Sequence, residues 1–169
     1  KFIESSNCDV IYLPAFTHKD VLKLSRSTSK PIVFDPLISR YLTKVFDYKK
    51  FHRFSPQGIR TFLSDKRIFR KCDILIADTA QHANYYQKTF GVPPQKIRVI
   101  PVGADCDDFE PTSSTPDKVK IGFYGSFNPL QGIDKIIKAA ALLPQHLFEI
   151  IGGGYVEQDV RNLIKALNI

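Results

Sequence analysis

Short apolar runs alternate with stretches of helical periodicity over most of the chain. DVIYLP (9–14), PIVFD (31–35), DILIA (73–77) and KIRVIPV (96–102) are runs of β-branched residues and leucine with little polar alternation. Each reads as a short strand bounded by turn-forming residues. Between them, His18–Ser27 sets Val21, Leu22 and Leu24 in a helical pattern behind Thr17, a residue able to cap. Ser55–Cys72 opens with a capping serine and a proline suited to the first helical position, and brings Ile59, Phe62, Leu63 and Phe69 largely onto one face. Thr79 can cap a helix over Ala80–Phe90, stopped by Gly91 and Pro93. Residues 38–48 follow neither period. Continuous apolar strands belong to a sheet buried on both faces, so the pattern predicts an α/β fold built on parallel strands.

Residues 104–118 (ADCDDFEPTSSTPDK) break this pattern, being acidic and rich in Ser, Thr and Pro. The pattern then restarts with strand Val119–Tyr124, a turn, helix Ile133–Leu143, strand Leu147–Ile151, three glycines and a helix over Val156–Ala166. The expected organisation is a first Rossmann-like unit over 1–102, a linker over 103–118 and the first part of a second such unit over 119–169. A unit of roughly 50 residues does not easily bury a core of its own. Its strand edges and apolar faces predict self-association.

Composition narrows the class. A hydrophobic content of 43% and a charged content of 24% are ordinary for a globular protein. No apolar run reaches the roughly 18–20 residues of a bilayer span, and the first residues lack the apolar core of a signal peptide. The absence of methionine points to a piece of a longer protein. Cys8, Cys72 and Cys106 show neither zinc-ligand spacing nor a disulfide framework, as expected of reduced cysteines in the cytoplasm.

Charge is unevenly spread. Residues 1–102 carry 18 Lys and Arg against 8 Asp and Glu, whereas residues 103–169 carry 6 against 9. The positive first part predicts an anionic partner, membrane or nucleic acid. The charge is densest in Lys49–Lys71, where Arg60, Arg67 and Lys71 fall near one helical line flanked by Lys66 and Arg70, with Phe51, Phe54, Phe62 and Phe69 interleaved. Such a helix suits an anionic membrane surface. A solvated basic face over a packed core has the same signature. Zinc-finger and RNP-type signatures are missing, so nucleic acid is not the expected partner.

VKIGFYGSFNPLQG (119–132) carries the candidate chemistry. A strand runs into Gly125, and Gly132 opens a helix. Amides and the macrodipole at a helix N-terminus attract an anion. Ser126 and Gln131 would add neutral donors, with Phe127 inside the turn. A plain strand-to-helix turn, with glycines that serve packing, fits the same residues. Gly152–Gly154 pose a similar choice between close approach to a ligand and a permissive turn. Asp35 ends a strand, where ligand-contacting groups sit in open α/β sheets, and it is equally suited to satisfying a local turn. His18, His52, His82 and His146 have no metal-ligand spacing. No catalytic residue, metal ion or cofactor is assigned.

The order of these motifs resembles that of the retaining glycosyltransferases of family 4, which have the GT-B fold. The resemblance is carried by IRVIPVGADCDDFEP (97–111), KIGFYGSFNPLQGIDKIIKAA (120–140) and FEIIGGG (148–154), with FDPLIS (34–39) and CDILIADTAQHANYY (72–86) upstream. It implies metal-independent transfer of a sugar, with retention, from a UDP- or GDP-linked donor to a sugar or lipid-linked acceptor. The nucleotide-sugar is then a substrate, and no cofactor is needed. It also implies donor contacts from Gly125, Ser126, Phe127, Gln131 and Gly132, a cleft lining from Gly153 and Gly154, and a hinge at Gly103 and Asp105. Asp35 would lie on the acceptor side.

Three positions depart from the family pattern. The usual arginine after the first glycine of the turn is Ser126, the lysine before the second is Gln131, and the hinge asparagine is Val102. The family's paired glutamates and its N-terminal glycine-rich loop would fall outside residues 1–169. A nucleotide-binding or scaffold domain without transfer is a second expectation, favoured by the two missing cations. A membrane-surface module built on Lys49–Lys71 is a third. An enzyme of this kind is expected in the cytoplasm, peripheral to the inner membrane face if its acceptor is lipid-linked.

Overall fold

The computed structural model describes residues 7–108 and 119–169, so most of the expected linker lies outside the described residues. The chain divides into two compact units, Lys1–Ala104 and Asp105–Ile169.

The first unit is a four-stranded parallel sheet in the order β1-β2-β3-β4, formed by Ile11–Leu13, Ile32–Phe34, Ile74–Ala77 and Ile97–Val99. Helices α1 (His18–Leu24), α2 (Pro56–Lys71) and α3 (Ala80–Phe90) connect successive strands. Because the strands lie side by side in chain order, right-handed crossovers place all three helices on one face. Leu13, Ile32, Phe34, Leu75, Ala77 and Ile97 point to that face and are buried, while Tyr12, Val33, Ile74 and Ile76 alternate with them and are not. Among the described residues the sheet is therefore covered on one face, a correction to the two covered faces expected from the sequence. The core against the helices is aromatic. Phe69 of α2 packs 5.0 Å from Tyr86 and 5.2 Å from Phe90 of α3, centroid to centroid.

Local signals explain most element ends. The Ser55 side chain accepts from the Gly58 amide, Thr79 accepts from the His82 amide, and Gly91 closes α3 in the left-handed region. Thr17 is a correction. Its hydroxyl donates to the Pro14 carbonyl at 2.6 Å and caps nothing. Residues 42–47, unreadable from the sequence, form a π-helical turn tied to α2 by Asp65. That buried carboxylate accepts from the Ser39 hydroxyl at 3.0 Å, the Tyr41 amide at 2.8 Å, and the Arg40 guanidinium at 2.8 and 2.9 Å. The face of α2 is also corrected. Phe62 and Phe69 pack inward, but Ile59 and Leu63 are 46% and 56% exposed.

The second unit holds β5 (Lys120–Tyr124) and β6 (Leu147–Ile151), paired in parallel, with α4 (Ile133–Leu142) and α5 (Glu157–Leu167). Phe127, Ile133, Ile137 and Val160 form its buried cluster, with Phe123 and Ile150 of the strands packed against it. The alternate strand positions Tyr124, Leu147 and Ile151 are exposed.

His18 provides a test of the first core. Its ring is only 2% exposed and packs edge-on to Phe34, and neither ring nitrogen has a hydrogen-bond partner among the described residues. Burial, reinforced by the positive charge of Arg40, lowers its pKa from about 6.5 to about 4. The unfolded chain takes up this proton first, so the stabilisation is full above about pH 6.5 and is lost as pH falls towards about 4. In urea titrations across that window, His18→Leu should remove a loss of about 3 kcal/mol at most. An unchanged slope would assign the acid sensitivity to other groups.

Candidate functional site

Expected site residues meet in a concave surface at the carboxyl ends of β5 and β6. It is a shallow cleft of about 330 Å³ lined by Tyr124, Gly125, Ser126, Gly152 and Gly153. Ligands of open α/β sheets bind at such strand ends. The paired register carries Tyr124 level with Ile151, so the residues that follow on each strand meet. The Gly125 amide donates to the Ile151 carbonyl at 3.1 Å, and the Phe127 amide to the Gly153 carbonyl at 2.9 Å. Gly152 makes this approach possible. It sits at φ +152°, and a Cβ there would lie 1.9 Å from the Gly125 oxygen.

The structure sorts the expected donor contacts. Gly125, Ser126 and Gly153 line the cleft. The Phe127 ring is buried, its amide is taken by Gly153, and its carbonyl accepts from the Val156 amide. Phe127 therefore positions the turn and offers no free amide to a ligand. The Gln131 amide is also taken, by the side chain and the carbonyl of Asn128, at 3.2 and 3.1 Å. Gly132, in the left-handed region, joins the 3-10 turn Pro129–Gln131 to α4. The first turn of α4 carries Asp134, whose carboxylate sits at the positive end of that helix. The Gly154 carbonyl accepts from the Glu157 amide at the start of α5. Among the described residues that line it, the cleft offers an anion backbone and hydroxyl polarity without a cation.

Gly103 lies one residue before the end of the first unit and Asp105 begins the second, both exposed. Asp105 accepts from the Asp107 amide at 3.2 Å. In the first unit, Asp35 follows β2. One of its oxygens accepts from the Leu37 amide at 3.0 Å and the other from the Tyr12 hydroxyl at 3.2 Å. The local-turn role is thus realised, on the same sheet edge where acceptor contacts were expected. Asp78 follows β3 on this edge and pairs closely with Nδ1 of His82, whose ring stacks on Tyr86. Burial raises the pKa of Asp47, against the opposing effect of His82. Burial, with Asp78, Asp35 and Asp65 nearby, also raises that of the Tyr86 hydroxyl.

Comparison with known proteins bears on these features together. Residues 39–108 match the family model described as Glycosyltransferase Family 4. Those residues, less than half of the chain, resemble glycosyltransferase family 4.

Two curated relatives, both D-inositol 3-phosphate glycosyltransferases, come from Nocardia farcinica and Geodermatophilus obscurus. They are 26% and 27% identical over 98 and 95 residues, 53% and 51% of this chain. The chain spans 22% and 21% of their lengths. Sucrose-phosphate synthase from Thermosynechococcus elongatus shares the fold with a TM-score of 0.74 at 17% identity, over 99% of this chain and 44% of that one. Anabaena HepE in complex with UDP-glucose gives a TM-score of 0.66 at 17% identity, over 95% of this chain and 45% of that one. The fold is that of parallel-sheet Rossmann-like units, parts of two GT-B domains.

The matched residues include Arg40, Asp65, Asp78 and His82. Within Gly152–Gly154 the sequence pointed to Gly153 and Gly154 rather than Gly152, and it did not point to Tyr124; Gly152 and Tyr124 both line the cleft. Period-two alternation along β5, with Ile121 and Phe123 inward, would have turned Tyr124 outward. Nothing local in a run of three glycines marks the first as the contact. We expect Gly152→Ala to force Gly125 away, lowering the stability of the second unit by about 2 kcal/mol and abolishing any ligand binding in the cleft. Urea unfolding monitored by amide signals of α4 and α5 would measure the first effect. Wild-type stability in the variant would contradict the steric account.

Proposed function

We propose that this chain contributes the donor turn and part of the acceptor side of a retaining, metal-independent glycosyltransferase that uses a nucleotide-diphosphate-sugar. The observation that carries the reading is the cleft where Gly125–Ser126 and Gly152–Gly153 meet at parallel strand ends, in a chain that matches family 4. In this reading the diphosphate is the leaving group, and the protein lowers the barrier mainly by stabilising its growing charge. Ser126 and the loop backbones supply that polarity here. Gln131, with its amide committed to Asn128, contributes through its side chain. Tyr124, exposed beside Gly125, offers a flat face to the donor. The second unit is the nucleotide-sugar side, and Gly103 and Asp105 form the hinge.

A hexose is the transferred sugar. HepE holds UDP-glucose, which supports UDP-linked sugars as the first donors to assay, with GDP-linked sugars next. The acceptor is a sugar, free or lipid-linked, met by the sheet edge of Asp35 on the cytoplasmic side of the membrane. Among the described residues no helix is long and apolar enough to cross a membrane.

The full-length protein should release a nucleoside diphosphate from one donor class in the presence of EDTA, and the product should keep the donor's anomeric configuration by NMR. Nucleotide binding without release would favour the non-transferring reading, which the neutral Ser126 and Gln131 make the specific alternative. Restoring charge with Ser126→Arg and Gln131→Lys should tighten nucleoside diphosphate binding about tenfold, because charge-assisted hydrogen bonds are roughly twice as strong as neutral ones. Unchanged affinity in a calorimetric titration would move the diphosphate away from this turn.

A further inference from the structure

The exposed arc of α2 has no role in the transfer chemistry. At about 100° per residue, Lys66, Arg70, Arg67, Arg60 and Lys71 spread over an arc of about 140°. Ile59 and Leu63 lie within the same arc, and no acidic residue does. The buried side of the helix, with Phe69, Ile68 and Asp65, faces the other way. None of these cations takes part in an ion pair among the described residues. Leu63, Lys66, Arg67, Arg70 and Lys71 line a shallow depression of about 480 Å³. Just before the helix, Phe54 is exposed beneath the Arg53 guanidinium, 4.3 Å from its ring centre.

We propose that this arc of α2 docks the protein on an anionic lipid surface. Charge complementarity requires a polyanion. The two aliphatic side chains set among the cations select a bilayer over other polyanions, because headgroup phosphates meet Lys and Arg while Ile59 and Leu63 enter the boundary of the acyl chains. A nucleic-acid backbone would leave Ile59 and Leu63 exposed and unused. A second copy would set this arc against a like charge. The Lys and Arg stems lie along the apolar surface and carry their charges to headgroup level. The surface does not depend on the donor cleft, so it stands or falls separately from the transferase reading.

The test is co-sedimentation of the full-length protein with phosphatidylcholine vesicles and with vesicles rich in phosphatidylglycerol, without nucleotide or acceptor. Binding should be confined to the anionic vesicles and should weaken steeply with salt. Replacing Arg60, Arg67 and Lys71 with Gln should weaken it about a hundredfold, at roughly fivefold per charge. Ile59→Ser with Leu63→Ser, which leaves every charge in place, should weaken it about tenfold. Circular dichroism should show both variants folded, since all these side chains face solvent. Equal binding to both vesicle types would overturn the proposal. So would full binding by the serine variant, or a preference for RNA over vesicles that the serine variant retains.

Discussion

The carbonyl oxygen of Gly125 and the Cα of Gly152 occupy space that admits no side chain between them. This contact sets the geometry of the second unit. β5 and β6 run parallel in five-residue register, so they end level, and the chain leaving each must turn over the same point. With glycine in both places the two loops exchange backbone hydrogen bonds from Gly125 to Ile151 and from Phe127 to Gly153. The Phe127 carbonyl then receives the Val156 amide, which fixes the start of α5. The cleft, the buried Phe127 ring and the helix that follows are thus consequences of one close approach.

The same economy limits what the turn can do chemically. Each amide committed to holding the loops together is unavailable to a ligand, and Asp134 places a negative charge in the first turn of α4. A phosphate-binding turn with an arginine and a lysine has charge to spare. This one has Ser126 and Gln131, and its polarity is neutral. A donor diphosphate held here would depend on backbone geometry to an unusual degree, which makes Gly152 more consequential than any side chain of the cleft.

Strand and helix positions were legible because each carried its own punctuation. Ser55 and Pro56, Thr79 and Gly91 act within a few residues, and a local signal survives in sequence. The family resemblance was legible from motif order, and the match over residues 39–108 agrees with it. What was not legible depends on contacts distant along the chain. The burial of Asp65 rests on Ser39, Arg40 and Tyr41, more than twenty residues away. The exposure of Ile59 and Leu63 follows from how α2 rolls so that Asp65 and Phe69 face inward, against a hydrophobic pattern that placed them inside. Faces buried on one side or two depend on strand order, which an apolar run does not encode. In the candidate site, the glycines were visible, but their partnership across twenty-seven residues was not.

The proposed occupant of the cleft where Gly125–Ser126 meet Gly152–Gly153 is a nucleoside diphosphate. The most direct measurement is an amide NMR titration of the protein with UDP. The Gly125, Ser126, Gly152 and Gly153 amides should shift together and saturate along one binding curve, while amides of α1 and α2 stay still. Saturable UDP binding that leaves these four amides unmoved would contradict this placement.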